Sequence, residues 1–115
     1  MTDIDKVVVS NGRIRCLMEF KSRMEDYHKV IMLNLFQFKT LLRLSKLSGI
    51  PAYYVIEVKE YDDVWFRILN LEDLKYSVKR LGNGHSRDFY ACIDLRDSTL
   101  LDEFEFKDWL KDILY

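Results

Sequence analysis

Apolar and polar residues alternate over the first part of the chain in a pattern typical of a β-hairpin. Strand-like runs at residues 7–10 and 14–22 are separated by Asn11 and Gly12, a dipeptide favoured in tight hairpin turns. The polar segment 23–29 follows and predicts a loop. The chain is therefore expected to open with two antiparallel strands.

A helical period replaces this alternation in the next segment. From about residue 30 to residue 48, apolar side chains recur at intervals of three and four, and Gly49 and Pro51 mark the end of the predicted helix. Residues 52–58 are rich in β-branched and aromatic side chains, which predicts a buried strand. A tight acidic turn then leads to an antiparallel partner strand over residues 64–69.

The remaining segments complete an α/β pattern. Residues 71–81 predict a short helix, residues 82–86 a flexible glycine-rich loop, residues 89–95 a strand and residues 104–114 an amphipathic helix. The predicted order is β-β-α-β-β-α-β-α, which favours an α/β fold with a mixed sheet flanked by helices. No repeat or boundary interrupts it, so residues 1–115 are expected to form a single domain.

Composition adds limits to the possible functions. About half of the residues are apolar and a third are charged, as in an ordinary soluble globular protein. The formal net charge is −1, so a nucleic-acid partner would need a local basic patch. Cys16 and Cys92 have no neighbour at metal-ligand spacing, which predicts buried free thiols in a reducing cytoplasm. Without a signal segment or an apolar run of roughly 18 residues, no membrane partner is expected.

The triplet Glu-x-Lys occurs three times, at residues 19–21, 57–59 and 105–107. The third copy falls in a predicted helix, where residues two apart do not share a face. The second copy falls where a strand meets a charged turn, and solvated charges at the strand end explain it. Only the first copy has an acidic strand that can fold against it.

That first copy predicts a metal site. Glu19 and Lys21 share one face of a strand, and the hairpin turn can bring Asp5 alongside Glu19. Asp3 has the same strand parity as Asp5, so either can be the second ligand. Two carboxylates beside a lysine suit a hard divalent cation and an activated water, as in a metal-dependent phosphodiesterase. The alternative is an ion-paired edge hairpin, and the spacing alone does not decide between them.

The same residues resemble a known family. The segment TDIDKVVVSNGRIRCLMEFKSR, residues 2–23, resembles the core of the PD-(D/E)XK nuclease superfamily. Within this superfamily, the segment most resembles archaeal Holliday junction resolvases and small phage or viral nuclease-like proteins. The matching residues are Asp5, Glu19, Lys21, Ser22 and Arg23. The similarity continues through LNLFQFKTLLRLSKLSGIPAYYVIEV, a helix carrying Gln37 followed by a strand, and covers about the first 70 residues.

The resemblance implies a minimal restriction-endonuclease-like core. Two departures from the family pattern accompany it. The helix that usually precedes the Asp strand is expected to be missing, with Asp3 or a partner subunit in its place, and Ile4 stands where a proline is usual.

The resemblance also implies roles for individual residues. Asp5 and Glu19, with Asp3 as a further candidate, would bind Mg²⁺ or Mn²⁺. Lys21 would orient the attacking water and offset charge on the phosphate, and Gln37 would hold the water or a phosphate oxygen. The alternative for Gln37 is a solvent-exposed amide beside two core residues, Phe36 and Phe38.

The remaining predicted contacts are to DNA. The candidates for backbone contacts are Arg13, Arg15, Arg23 and, more weakly, Lys39, with ordinary hairpin solubility as the alternative. The expected function is a metal-dependent DNA endonuclease that acts on duplex or branched DNA, as a homodimer because a small domain offers little surface to grip a duplex. One alternative is an inactive nuclease fold that binds nucleic acid or protein. Another is a small interaction protein, in keeping with the acidic segment 97–112.

Overall fold

Two β-sheets and two α-helices make up the part of the chain that the computed structural model describes, which is residues 6–10, 12–24, 29–60, 63–81 and 88–114. The strands are β1 Lys6–Ser10, β2 Arg13–Met24, β3 Val30–Asn34, β4 Ala52–Glu60, β5 Asp63–Asn70, β6 Ser77–Leu81, β7 Asp88–Asp94 and β8 Thr99–Leu101. The helices are α1 Leu35–Ser48 and α2 Glu103–Leu114, and a 3₁₀ turn spans Leu95–Asp97. Neither α-helix has the length and apolar character needed to cross a membrane.

The strands form one mixed and one antiparallel sheet. The first has the order β1-β2-β4-β5-β8, in which β2 and β4 are parallel and the other neighbours are antiparallel. The second has the order β3-β7-β6. Helix α1 lies between β2 and β4 in the chain and makes the crossover that parallel pairing requires. The predicted α/β class with a mixed sheet is confirmed.

The predicted element order is wrong, because the described chain runs β-β-β-α-β-β-β-β-β-α. The helix predicted from residue 30 begins at Leu35, since Ile31 and Leu33 alternate into the core as strand residues. Asn34 then caps the helix, its Oδ1 accepting a hydrogen bond from the Gln37 N–H at 3.1 Å. The sequence period misled here because the apolar residues at positions 31, 35 and 38 have helical spacing, while those at 31 and 33 also alternate as in a strand.

The helix predicted over residues 71–81 is also wrong. Asn70 Oδ1 accepts a hydrogen bond from the Glu72 N–H, and Asp73 has a left-handed φ of 57°, which a helix does not tolerate. Residues Ser77–Leu81 instead pair with β7, a long-range contact that a local period does not reveal. The short strand β8 was not predicted, and the loop expected at residues 82–86 lies outside the described residues.

The mixed sheet has a packed layer on each of its faces. On one face Met18 and Val55 bury against Phe106 of α2. On the other face Leu17 and Phe38 belong to a larger core formed by α1 and the antiparallel sheet. Between Cys16 and Lys21, where the register of β2 is regular, successive residues therefore face opposite layers, and odd-numbered positions face α1.

Gly49 ends α1 as the sequence predicted, with a left-handed φ of 72° and an N–H that donates to the Ser45 carbonyl at 2.9 Å. A methyl group there would have no described heavy atom within 4 Å, so backbone strain alone sets the cost of adding one. We expect Gly49→Ala to lower the free energy of unfolding by about 1 kcal/mol. Gly49→Asn is the control, because asparagine tolerates this conformation, and urea denaturation should show a smaller loss for it. Equal losses would contradict the explanation.

Candidate functional site

The first Glu-x-Lys triplet lies on β2, an interior strand of the mixed sheet between β1 and β4. Leu17 packs in the core on the α1 side, so alternation places Glu19 and Lys21 on that face as well. The predicted sharing of one face is thus supported by the packing of their neighbour. The opposite face of the strand carries Cys16, a buried free thiol whose pKa is raised by burial.

Glu19 is buried at the centre of the sheet, with 6% of its surface exposed. Its register partner on the parallel strand β4 is Tyr54, which is fully buried and stacks on Phe38 of α1 with ring centroids 6.3 Å apart. A carboxylate is seldom placed in such surroundings unless an opposite charge, a hydrogen-bond donor or a metal compensates it. The buried carboxylate of Glu19 therefore depends on its polar surroundings.

Lys21 reaches across to helix α1. Its Nζ donates a hydrogen bond to Gln37 Oε1 at 3.1 Å. The backbone of Gln37 is held on the first turn of the helix by the cap at Asn34, which accepts its N–H. Within the described residues, this bond takes one of the three N–H groups of the ammonium. The remaining donors are what a phosphate oxygen or a water would need.

The contact between Lys21 and Gln37 bears on the two alternatives for the glutamine. Gln37 is half-buried, and its side chain points to β2 rather than to solvent. The expectation that both of its neighbours belong to the core is wrong for Phe36, which is 66% exposed, and right for Phe38. The structure therefore brings Glu19, Lys21 and Gln37 to one side of the sheet.

The other proposed metal ligands, Asp3 and Asp5, lie outside the described residues. The hairpin itself is described, and its last pair joins Lys6 to Met18, the neighbour of Glu19. No group of three or more His, Cys, Asp or Glu side chains in the described ranges could hold a metal ion. The carboxylate of Glu19 is the hard oxygen donor that Mg²⁺ prefers, and it fits the expected chemistry as one half of a two-carboxylate site.

The predicted DNA contacts fall into two groups. Arg13 is exposed and Arg15 is half-buried at the start of β2, where the pairing with β1 is shifted by one residue, and the Arg15 Nε is buried with no hydrogen-bond acceptor in the described part of the chain. The side chain of Arg23 lies outside the described residues. Lys39 is exposed, but two helical positions rotate it by about 200° from Gln37. Arg13 and Arg15 therefore lie on the same strand as Glu19 and Lys21, whereas Lys39 lies on the side of α1 turned away from Gln37.

The other two Glu-x-Lys triplets have structural explanations, as expected. Glu57 Oε1 and Lys59 Nζ form a surface ion pair at 3.8 Å. Glu105 and Asp102 bond reciprocally at the start of α2: the Glu105 N–H donates to Asp102 Oδ1 at 2.8 Å, and the Asp102 N–H donates to Glu105 Oε1 at 3.2 Å. This is the capping-box arrangement that satisfies free N–H groups at a helix start.

The face that carries α2 is acidic, which the sequence analysis did not find. A cavity of about 790 Å³ there is lined by six carboxylates and one ammonium, and by Tyr53 and Trp109 in an edge-to-face contact at 5.0 Å. The carboxylates are Glu72, Asp73, Asp97, Glu105, Asp108 and Asp112. Burial first, and then nearby Cys16 and Glu72, raise the pKa of Tyr53. The carboxylates make this face unfavourable for phosphate, and the candidate site lies on the opposite face of the mixed sheet.

A second cavity was also missed. It has a volume of about 590 Å³ and lies between helix α1 and strand β7; we call it the α1 groove. The residues that define it are Phe36, Lys39, Arg43, Leu44, Leu47 and Phe89. The sequence did contain a sign of this cavity. Helix α1 has apolar residues around more of its circumference than the side that faces the core requires.

No protein-family model, curated protein or solved structure matches this chain. The candidate site therefore rests on the chain's own residues.

Proposed function

We propose that this protein is a metal-dependent DNA endonuclease built on a minimal restriction-endonuclease-like core of the PD-(D/E)XK type. The observation that carries the proposal is the hydrogen bond between Lys21 and Gln37 beside the buried carboxylate of Glu19. Lys21 and Gln37 come from two different elements, a strand and a helix, and Glu19 lies two residues before Lys21 on that strand.

The succession of elements supports the same proposal. The hairpin β1–β2 precedes the crossover helix α1, which carries Gln37, and the parallel strand β4 follows. The resemblance stated for the sequence implied an Asp strand, a Glu-x-Lys strand, a helix with glutamine and a further strand. Strand β3 is an addition to that scheme.

Asp5 and Glu19, with Asp3 as a further candidate, would hold Mg²⁺ or Mn²⁺. The prediction that Asp5 lies beside Glu19 needs one more pair in the register of Lys6 and Met18. When bound, the cation supplies Lewis acidity and lowers the pKa of a coordinated water.

The other residues act as charges and positioning groups. Lys21 places a compact positive charge where the phosphate becomes more negative, and Gln37 Oε1 fixes the direction of that ammonium. Arg13 and Arg15, on the same strand as Lys21, would contact the DNA backbone together with Arg23. The acidic α2 side would repel DNA, which is consistent with a DNA contact on the opposite side of the mixed sheet.

The direct test is cleavage by the wild-type protein. Labelled branched, linear duplex and single-stranded DNA are incubated with the protein in Mg²⁺, in Mn²⁺ and in EDTA. We expect cleavage with either metal and none in EDTA, because the activated water depends on the cation. Salt-dependent DNA binding without cleavage under any metal would instead support an inactive nuclease fold that binds nucleic acid, and would overturn the enzymatic proposal.

A further inference from the structure

Helix α1 has two apolar sides, and only one of them faces the core. Phe38 and Leu41 are buried on the core-facing side. On the outward side, apolar and basic residues recur at intervals of three and four, so they form a continuous stripe along the helix. All members of the stripe line the α1 groove, and they are Phe36, Lys39, Thr40, Arg43, Leu44 and Leu47.

The outward stripe exposes large apolar side chains. Leu47 and Phe36 are 80% and 66% exposed, and Leu44 and, across the groove, Phe89 of β7 are exposed as well. They border one cavity of about 590 Å³ instead of being scattered over the surface. Contiguous apolar surface of this kind marks an interaction site.

The length of the groove suits a helical occupant. Phe36 and Leu47 lie at its two ends on α1 and are 11 residues apart in the chain, which corresponds to about 16 Å along the helix axis. A second helix of about three turns has the same length, and helices commonly bind by laying an apolar stripe into such a groove.

The charge around the groove is positive. Lys39 and Arg43 line it, and the guanidinium of Arg80 lies over the Phe89 ring, 5.8 Å from its centroid. No acidic side chain belongs to the lining within the described residues, and α1 contains no Asp or Glu, although the whole chain has 19 acidic residues. An occupant should therefore carry carboxylates beside its apolar side chains.

We propose that the α1 groove binds an acidic amphipathic helix of a different protein. Leu or Phe side chains at positions i, i+4 and i+7 of that helix enter between α1 and β7 and contact Leu44 and Leu47. Its Asp or Glu side chains face Lys39 and Arg43. This binding is independent of nuclease activity, because the groove lining does not include Gln37, the candidate-site residue on the same helix.

Other occupants suit the groove less well. Single-stranded nucleic acid needs flat rings on which bases stack, and Leu47, the most exposed apolar residue of the groove, offers none. A lipid surface needs apolar side chains that project from the protein, whereas these border a cavity. Helix α2 of the same chain packs on the opposite face of the mixed sheet, so it does not fill the groove.

The test is selection of binding peptides on the immobilised full chain. The probe is a phage-displayed library of random peptides of about 16 residues, long enough for the helical turns that the groove accommodates. We expect the enriched sequences to combine Leu or Phe at helical spacing with Asp and Glu. Fluorescence anisotropy then measures the affinity of an enriched peptide for each variant. Arg43→Glu and Leu47→Ser should each weaken binding by about tenfold or more, because central anchor residues dominate interface energies.

Two variants on α2 are the matched controls. Lys107→Glu makes an equal reversal of charge at an exposed position, and Phe104→Ser removes an apolar side chain that is 79% exposed, almost the same fraction as for Leu47. Both should bind the peptide within about twofold of wild type, because they lie outside the groove lining. Circular dichroism checks that every variant is folded.

A charge exchange makes the test specific. Replacing the acidic residues of the peptide with lysine one at a time should identify a change that restores binding to Arg43→Glu, since the reversed charges attract again. The proposal is overturned if no peptide is enriched, if the enriched peptides lack carboxylates, or if both groove variants bind them as tightly as wild type. If no peptide is enriched but Arg43→Glu loses self-association, or binding to oligothymidylate or to phosphatidylserine vesicles, the groove belongs to that occupant instead.

Discussion

Replacing Glu19 with glutamine is expected to abolish DNA cleavage while the fold is retained. Glutamine has nearly the same size and keeps a polar side chain at this buried position, but it removes the negative charge that would hold the cation. Loss of a ligand to a catalytic metal removes several kcal/mol of transition-state stabilisation, so the rate should fall by about a thousandfold or more. The measurement is single-turnover cleavage in Mg²⁺, with thermal unfolding to show that the variant is folded.

The chain offers a matched control for this variant. Glu57 also begins a Glu-x-Lys triplet on a strand, but its carboxylate forms a surface ion pair with Lys59. Glu57→Gln should therefore cleave within about twofold of wild type, because an exposed pair contributes little. If Glu19→Gln cleaves as fast as Glu57→Gln, the carboxylate of Glu19 has no part in the reaction.

A large loss of stability is expected when the core between α1 and the sheets is truncated at Phe38. Phe38 is fully buried, with its ring centroid 4.7 Å from that of Tyr76 and 6.3 Å from that of Tyr54. Phe38→Ala should lower the free energy of unfolding by about 3–5 kcal/mol, because it leaves a cavity between α1 and the sheets. That is a large share of the stability of a small domain.

Phe36→Ala provides the comparison, since the same side chain two residues earlier is mostly exposed. Its loss should change the free energy of unfolding by less than about 0.5 kcal/mol, as for most surface substitutions. Denaturation in urea is measured at a low protein concentration, where self-association does not add to the apparent stability. Equal losses for the two variants would show that α1 does not pack as described.

The local sequence was sufficient to predict those helices and strands whose hydrophobic pattern fits only one type of secondary structure. The opening hairpin, the pair β4–β5 and helix α2 follow from turn residues and from periods that only one structure satisfies. Strands β3 and β6 were wrongly predicted as helix, because their apolar residues also fit a helical period. Both strands pair with β7, and the local sequence does not reveal that pairing. Local propensity was overridden there by sheet pairing.

The candidate site was likewise predicted only in part from the sequence. Strand alternation was sufficient to place Glu19 and Lys21 on one face, since both belong to one strand. The contact of Lys21 with Gln37 depends on how α1 crosses the sheet, which spacing does not specify. The α1 groove could not be predicted from the sequence for a related reason. An apolar residue such as Phe36 is compatible with a buried core and with an exposed surface, and only the packing distinguishes them.

The parallel pairing of β2 with β4 has a consequence for the order of folding. The hairpins β1–β2 and β4–β5 join neighbouring segments and can form locally, whereas β2 meets β4 only after β3 and α1 have been brought into place between them. The Lys21–Gln37 contact needs α1 to dock on β2. A chain still emerging during synthesis, with β4 not yet docked, therefore lacks part of the sheet on which the candidate site is built.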